Sequence, residues 1–210
     1  MLVKLIRFTP DADGVCGEAA ALCYNSDNPE RSLRGALRRG HGSVSEHNAF
    51  TFRVEGVSRA LLAQLTRHRI ASYSVQSQRY CGANLDIVVP DSMVCSELVD
   101  EIVAVKRAVE KLYNKAIGLG KPAEDARYFT LQAGKTNLIV TMNARELDHF
   151  FELRLCARAQ WEIRQMAHLM LEEVKVVAPE LFKHAGPPCL MGRCQEGKNS
   201  CGHPWTKEVP

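Results

Sequence analysis

The stretch RHRIASYSVQSQRY, residues 67–80, sets three arginines and a histidine among three serines and two tyrosines, with no acidic residue. Surface helices ordinarily interleave signs, because like charges one turn apart repel. A guanidinium grips phosphate or carboxylate oxygens two at a time, and hydroxyls add further donors. The pattern points to a bound anion with many oxygens, a phosphate or a nucleotide. A simpler account covers one turn only: Arg67, His68 and Arg69 at a helix C-terminus would satisfy its last carbonyls and its dipole. That account leaves Ser72, Ser74, Ser77 and Arg79 unexplained.

The same bias extends through the first half of the chain. Between Lys4 and Lys106 there is no lysine, yet there are ten arginines: Arg7, Arg31, Arg34, Arg38, Arg39, Arg53, Arg59, Arg67, Arg69 and Arg79. Bidentate recognition of anions favours arginine over lysine. For Arg31 to Arg39, beside Glu30, ion pairs with neighbouring acids are the simpler expectation. In the tail, Cys189, Cys194, Cys201 and His203 supply four donors of the type that binds zinc. Their spacing is wider than that of a zinc knuckle, and reduced cysteines in a mobile segment are the plainer reading.

These residues must be positioned by regular elements. LVKLIRF reads as a strand, residues 13–24 and 30–39 as short helices, and the alternating AFTFRVEG as a second strand. Ser58 is placed to cap a helix running to about Arg69, with a loop following it. LDIVVP reads as a strand. Apolar residues from Leu98 to Ala116 step by four and three, which predicts a helix over residues 96–117. TNLIVTM reads as a strand, followed by helices over residues 144–156 and 159–177. The fold class expected is α+β: a single domain with a central, largely antiparallel sheet flanked by helices.

With 210 residues and a net charge of +3, the chain suits one domain with a real core and gives no charge argument for nucleic acid. No apolar run is long enough to span a bilayer, and the start lacks the order of a secretory signal, so a cytoplasmic protein without membrane partners is expected. The domain boundaries read from the pattern are 1–185 for the folded part and 186–210 for a Cys-, Gly- and Pro-rich tail.

RHRIASYSVQS fits the Arg-His-Arg, seven residues, Ser signature of the flavin-dependent thymidylate synthases, the family without a cysteine nucleophile. Upstream, HGSVSEHNAFTFRVEGVSRALLAQLTRHR is similar to the family's histidine, Glu-His, Phe-Thr-Phe and Gln segment. Downstream, EDARYF, NARELDHFFELR and AQWEIR continue the resemblance, which covers roughly residues 1–185. It implies reductive methylation of dUMP to dTMP. The one-carbon donor would be 5,10-methylenetetrahydrofolate and NADPH would reduce FAD, with tetrahydrofolate released. It also implies a homotetramer with active sites shared between subunits.

Carried over position by position, the resemblance assigns FAD to Arg67, His68, Arg69, Asn143, Arg145 and His149. Ser43, with His41 beside it, would contribute from a neighbouring subunit. It assigns dUMP to Gln64, Arg67, Gln76, Ser77, Gln78, Arg79 and Arg127, and the catalytic role to Arg154. The matching arginine stabilises negative charge developing on the uracil ring, and a fixed donor of this kind is worth about 2.7–4 kcal/mol. Many members carry Asn-Glu where this chain has Ser74 and Val75, so a polar side-chain contact at 75 is lost here. Two other classes compete. In one, the arginines grip RNA or another polyanion and Tyr73 and Tyr80 stack on bases; bound flavin would exclude it. The other, a synthase using Cys189 as nucleophile, lacks a partner base at a telling spacing.

Overall fold

The computed structural model describes residues 1–192 and 194–205. In chain order its elements are β1 (Leu2–Phe8), α1 (Ala12–Tyr24), α2 (Pro29–Arg38), a single-turn helix at Gly42–Glu46, β2 (Phe50–Ser58), α3 (Arg59–Leu65) and β3 (Ala71–Val75). Then come α4 (Ser96–Gly118), α5 (Ala123–Ala126), β4 (Lys135–Met142), α6 (Ala144–Arg154) and α7 (Trp161–Val177). The strands pair antiparallel in the order β1-β2-β4-β3. The expected α+β class, with its largely antiparallel sheet flanked by helices, is therefore present. Among the described residues no helix is long and apolar enough to cross a membrane.

The chain divides into two compact units. The first gathers Met1–Leu2, Val54–Arg67 and Ser74–Leu138. Its α3 starts where Ser58 accepts a hydrogen bond from Leu61 N at 3.0 Å, the N-cap expected from the sequence. Asn137 in β4 accepts from Gly56 N at 2.9 Å and donates to Gln76 Oε1 at 3.0 Å, so one carboxamide fixes β2 and the residue following β3. Among the described residues of α4 only Tyr113 is buried, and Val99, Val103, Val105, Leu112 and Ile117 are all more than a third exposed. Of the apolar stripe, Val105 and Leu112 are exposed, while Leu98, Ile102, Val109 and Ala116 are half-buried.

The second unit gathers Val3–Arg53, His68–Tyr73 and the described residues from Ile139 onward. Its core is a cluster of aromatic rings: Phe50 meets Phe182 at 5.4 Å, Phe182 meets Phe151 at 5.9 Å, and Phe151 meets Phe150 at 5.7 Å, all edge to face. Helix α7 closes this core with Ile163, Met166, Met170 and Val174, spaced for one helical face. Asn48 joins three segments. It accepts from Ala144 N at 2.7 Å and donates to Ser45 O at 3.1 Å and to the Cys16 thiol.

Two local expectations are corrected. The helix expected to reach Arg69 stops at Leu65, where Thr66 Oγ1 turns back to Leu62 O at 3.0 Å, and residues 71–75 form a strand instead of a loop. LDIVVP forms no strand; it makes an isolated antiparallel bridge, Ile87 to Gly134, before Pro90 removes the next backbone donor.

Candidate active site

In the second unit, the start of α6 and the residue after the first signature arginine build a buried polar chain. Asn143 caps α6, its Oδ1 accepting from Glu146 N at 2.9 Å. Glu146 is thus the third helical residue, where a carboxylate usually reaches back to the cap backbone in a capping box. Instead it turns inward and stands 3.3 Å from His68 Nδ1. His68 is only 4% exposed, packed edge to face on Phe150 at 5.0 Å. On its other side Arg154 Nε donates to His68 Nε2 at 3.1 Å.

Those two contacts fix the protonation state. Arg154 can only donate, so Nε2 must carry a lone pair, and the single imidazole proton lies on Nδ1, which faces the Glu146 carboxylate at 3.3 Å. Electrostatics agree. Burial, then the charge of Arg154, then His149 lower the His68 pKa from 6.5 to about 4, so the ring is neutral near pH 7. Burial pushes the Glu146 carboxyl up, with His149 opposing. Tyr73 hydroxyl closes the cluster by donating to His68 O at 2.8 Å, and burial followed by Glu146 drives its pKa to about 12.

Around this chain, Arg145 pairs with Glu46, tying α6 to the turn that carries Ser43. His149 is exposed and 3.9 Å from Glu152, and its ring lies 5.8 Å from His68. Tyr24 hydroxyl hydrogen-bonds His41 Nδ1. His68, Arg154 and His149 are therefore brought together, with Asn143 and Arg145 on the same helix. Arg69 and Ser43 are exposed on the surface of this unit.

The first unit forms a second cluster. A cavity of about 310 Å³ is lined by Arg59, Gln78, Arg127, Tyr128, Thr130 and Gln132, among others. Gln78 is 7% exposed. Ser77 Oγ accepts from Arg79 N at 3.0 Å and Tyr80 N at 3.2 Å, a side-chain turn that sets the path of the backbone into this cavity. Arg79 is drawn to Glu124 at 2.5 Å and lies over the Tyr80 ring, while Arg127 Nε donates to Glu124 O at 3.2 Å. Gln78 and Arg127 thus share the cavity, whereas Gln76 is held by Asn137 and Arg79 by Glu124. Gln64 is half-buried and Arg67 exposed.

The sequence reading gave no role to Glu146 or Glu124, named Tyr73 only as a base-stacking candidate and counted Arg59 only among the arginines. In the tail, Cys189, Cys194, Cys201 and His203 line a cavity of about 170 Å³ with Cys156 and Trp205. Their polar partners are the Trp205 backbone N for Cys189, Ser200 for Cys194 and the His203 backbone for Cys201. Among the described residues no three His, Cys, Asp or Glu side chains are grouped to hold a metal ion.

Comparison with known proteins gives these two clusters a context. A family described as thymidylate synthase complementing protein matches residues 4–180. A flavin-dependent thymidylate synthase of Geobacter sulfurreducens is 46% identical over 96% of this chain and 94% of its own. The chain belongs to the flavin-dependent thymidylate synthase family. Its likeness to a flavin-dependent thymidylate synthase of Clostridium tetani is 43% identity over 95% of this chain and 92% of the other. A solved structure, a UMP/dUMP methylase PolB from Streptomyces cacaoi bound with 5-Br dUMP, superposes with a TM-score of 0.76 over 87% of this chain and 93% of that one. At 24% identity that likeness speaks for the fold alone. These two members of the flavin-dependent thymidylate synthase family thus align with this chain over nearly its whole length.

Proposed function

We propose that this protein methylates dUMP reductively to dTMP, taking one carbon from 5,10-methylenetetrahydrofolate and reducing equivalents from NADPH through FAD, and releasing tetrahydrofolate and NADP. The observation that carries this reading is the Glu146–His68–Arg154 chain, which holds a guanidinium by its Nε on a neutral, buried imidazole. An Arg154 so held presents its cationic head in a fixed direction, and a pre-aimed donor stabilises charge that develops only in the transition state. Towards dUMP, that charge is the negative density on the uracil ring as C5 becomes nucleophilic.

The donor set of the second unit fits a flavin dinucleotide. Asn143 spends its oxygen on the α6 cap and keeps an NH₂ with no protein partner among the described residues. Arg69 has no carboxylate partner among them either, nor does Arg67 in the first unit, which suits a pyrophosphate. Arg145, His149, His68 and Ser43 complete the residues that would hold it. A bound flavin supplies the hydride chemistry that no side chain here can supply. In the first unit, Gln78 offers an amide for a uracil edge, and Arg127 and Arg59 offer charge for a phosphate. Ser77 shapes that wall, and Gln64, Gln76, Arg67 and Arg79 are the further contacts assigned to dUMP.

The methylation activity is assigned to residues 1–185, with 186–210 as an appended tail. The exposed apolar residues of α4, Val99, Val103, Val105, Leu112 and Ile117, support self-association, which we read as a homotetramer with shared active sites in the cytoplasm. The visible spectrum of the purified protein tests the reading. A flavin band that bleaches anaerobically with NADPH, faster when dUMP is present, is expected. A colourless protein that takes up no added FAD would refute it and favour a polyanion-binding face.

A further inference from the structure

The arginines expected to pair with neighbouring acids mostly do not. Arg34 alone takes Glu30 at 2.5 Å and Glu180 at 2.7 Å. Among the described residues Arg31, Arg38 and Arg39 have no carboxylate partner, and all three line one open cavity of about 740 Å³ between the end of α1 and the face of α2. Against three guanidinium groups the cavity presents a single acid, Asp27.

The cavity is shaped by the sequence of α2. Arg31, Gly35 and Arg38 fall four and three residues apart, so they share one helix face, with the glycine between the two cations. Without a side chain at 35 the floor stays open. A Cβ there would stand 3.3 Å from a terminal nitrogen of Arg39. Two of the three cations are already held by neutral groups: Arg38 Nε donates to Arg34 O at 3.3 Å, and the Arg39 guanidinium lies 5.0 Å over the Tyr24 ring. Groups fixed in this way lose less freedom when a ligand arrives. Tyr24 also bonds His41, which leads into the turn carrying Ser43 and Glu46, and Glu46 pairs with Arg145 of the flavin cluster. The cavity and the flavin residues are thus joined by a short run of chain within one unit.

We infer that this cavity holds the phosphorylated adenosine end of NADPH. The inference rests on the proposed function, which requires three nucleotide ligands and gives places only to the flavin and dUMP. NADPH differs from NADH by one 2′-phosphate, and arginines without acidic partners are what selects that group. Arg31 and Arg38 flank the position for the phosphate, and the Arg39–Tyr24 pair offers a flat surface for the base.

The test uses the flavin-loaded protein and its Arg31→Ala/Arg38→Ala double variant. Both positions are exposed, and a melting curve verifies the fold. Flavin reduction is followed anaerobically against NADPH and against NADH. The NADPH concentration at half-maximal rate should rise about tenfold or more, the scale of a lost charged hydrogen bond, with NADH unchanged. Adenosine 2′,5′-bisphosphate should compete with NADPH in the wild type and not in the variant. Equal weakening of both dinucleotides, an unchanged NADPH response, or an effect confined to the folate would overturn the inference. Dithionite-reduced protein separates the two failures. Normal dUMP methylation by that route with an unaltered NADPH response sinks this site alone, whereas no methylation sinks the proposed function and this site with it.

Discussion

Replacing Glu146 by leucine is the sharpest probe of the buried polar chain. Leucine is close in volume, so the Phe150 side of the cluster stays filled, but the acceptor 3.3 Å from His68 Nδ1 is gone. A buried N–H left without a partner costs about 1–3 kcal/mol. Removing a carboxylate whose burial is itself unfavourable returns part of this, which leaves a net loss of about 1–2 kcal/mol and a fall in Tm of about 2–8 °C. The functional effect is larger. Once Nδ1–H has no acceptor, the ring is free to carry its proton on Nε2, and that N–H faces the Arg154 donor. Arg154 then turns away, and about 2.7–4 kcal/mol of aimed charge stabilisation is at risk, a drop of about 10²–10³ in kcat. Glu146→Gln keeps an oxygen that can accept from Nδ1, and should stay within about tenfold of wild type. Steady-state dTMP formation, with flavin content and melting curves measured in parallel, decides the matter. Equal kcat losses for leucine and glutamine, or a leucine variant with wild-type turnover, would refute the tautomer argument.

Other consequences are simpler to state. Arg154→Ala should retain bound flavin and its spectrum while turnover falls about 10²–10³-fold; loss of the fold in melting curves would count against its catalytic role. Arg127→Ala should raise the KM for dUMP by about tenfold or more with little change in flavin binding, measured by steady-state kinetics. Acid should destabilise the protein through His68. Its folded pKa, about 4, lies below the ordinary 6.5, so the stability it contributes is full above 6.5 and is lost as pH falls towards 4. That loss is at most about 3 kcal/mol and is partly offset by Glu146, whose raised carboxyl acts in the opposite sense. Denaturant midpoints across this window should therefore decline less steeply in His68→Gln than in the wild type.

The strands of the sheet's centre were plain in the sequence because one face is buried: in β4 every second residue, Thr136, Leu138, Val140 and Met142, points into the core. The Ser58 cap of α3 was equally local. β3 was not legible, because its five residues include two serines and its place is decided by pairing with distant β4, as where Gln76 N bonds Asn137 O at 2.9 Å. Glu146 was hidden for a different reason: its position three residues along from the Asn143 cap is what a capping box looks like, and only burial against His68 diverts it. Composition showed that the arginines of residues 31–39 stand near an acid; which of them reaches it depends on Glu180, far along the chain. The candidate site residues were proposed by motif, but their division between two compact units follows from chain topology, and no local pattern encodes that.

Asn48 contacts Cys16 of α1, Ser45 of the turn and the first residue of α6 with a single carboxamide. The segment carrying Ser43 and the one carrying Asn143 are therefore spliced through one side chain, and their spacing is indexed to it. Residues 42–48 cannot change length, because an insertion there would pull the amide out of register with all three partners at once. Diversification of this stretch must proceed by substitution, and a library that varies loop length here would yield few folded members.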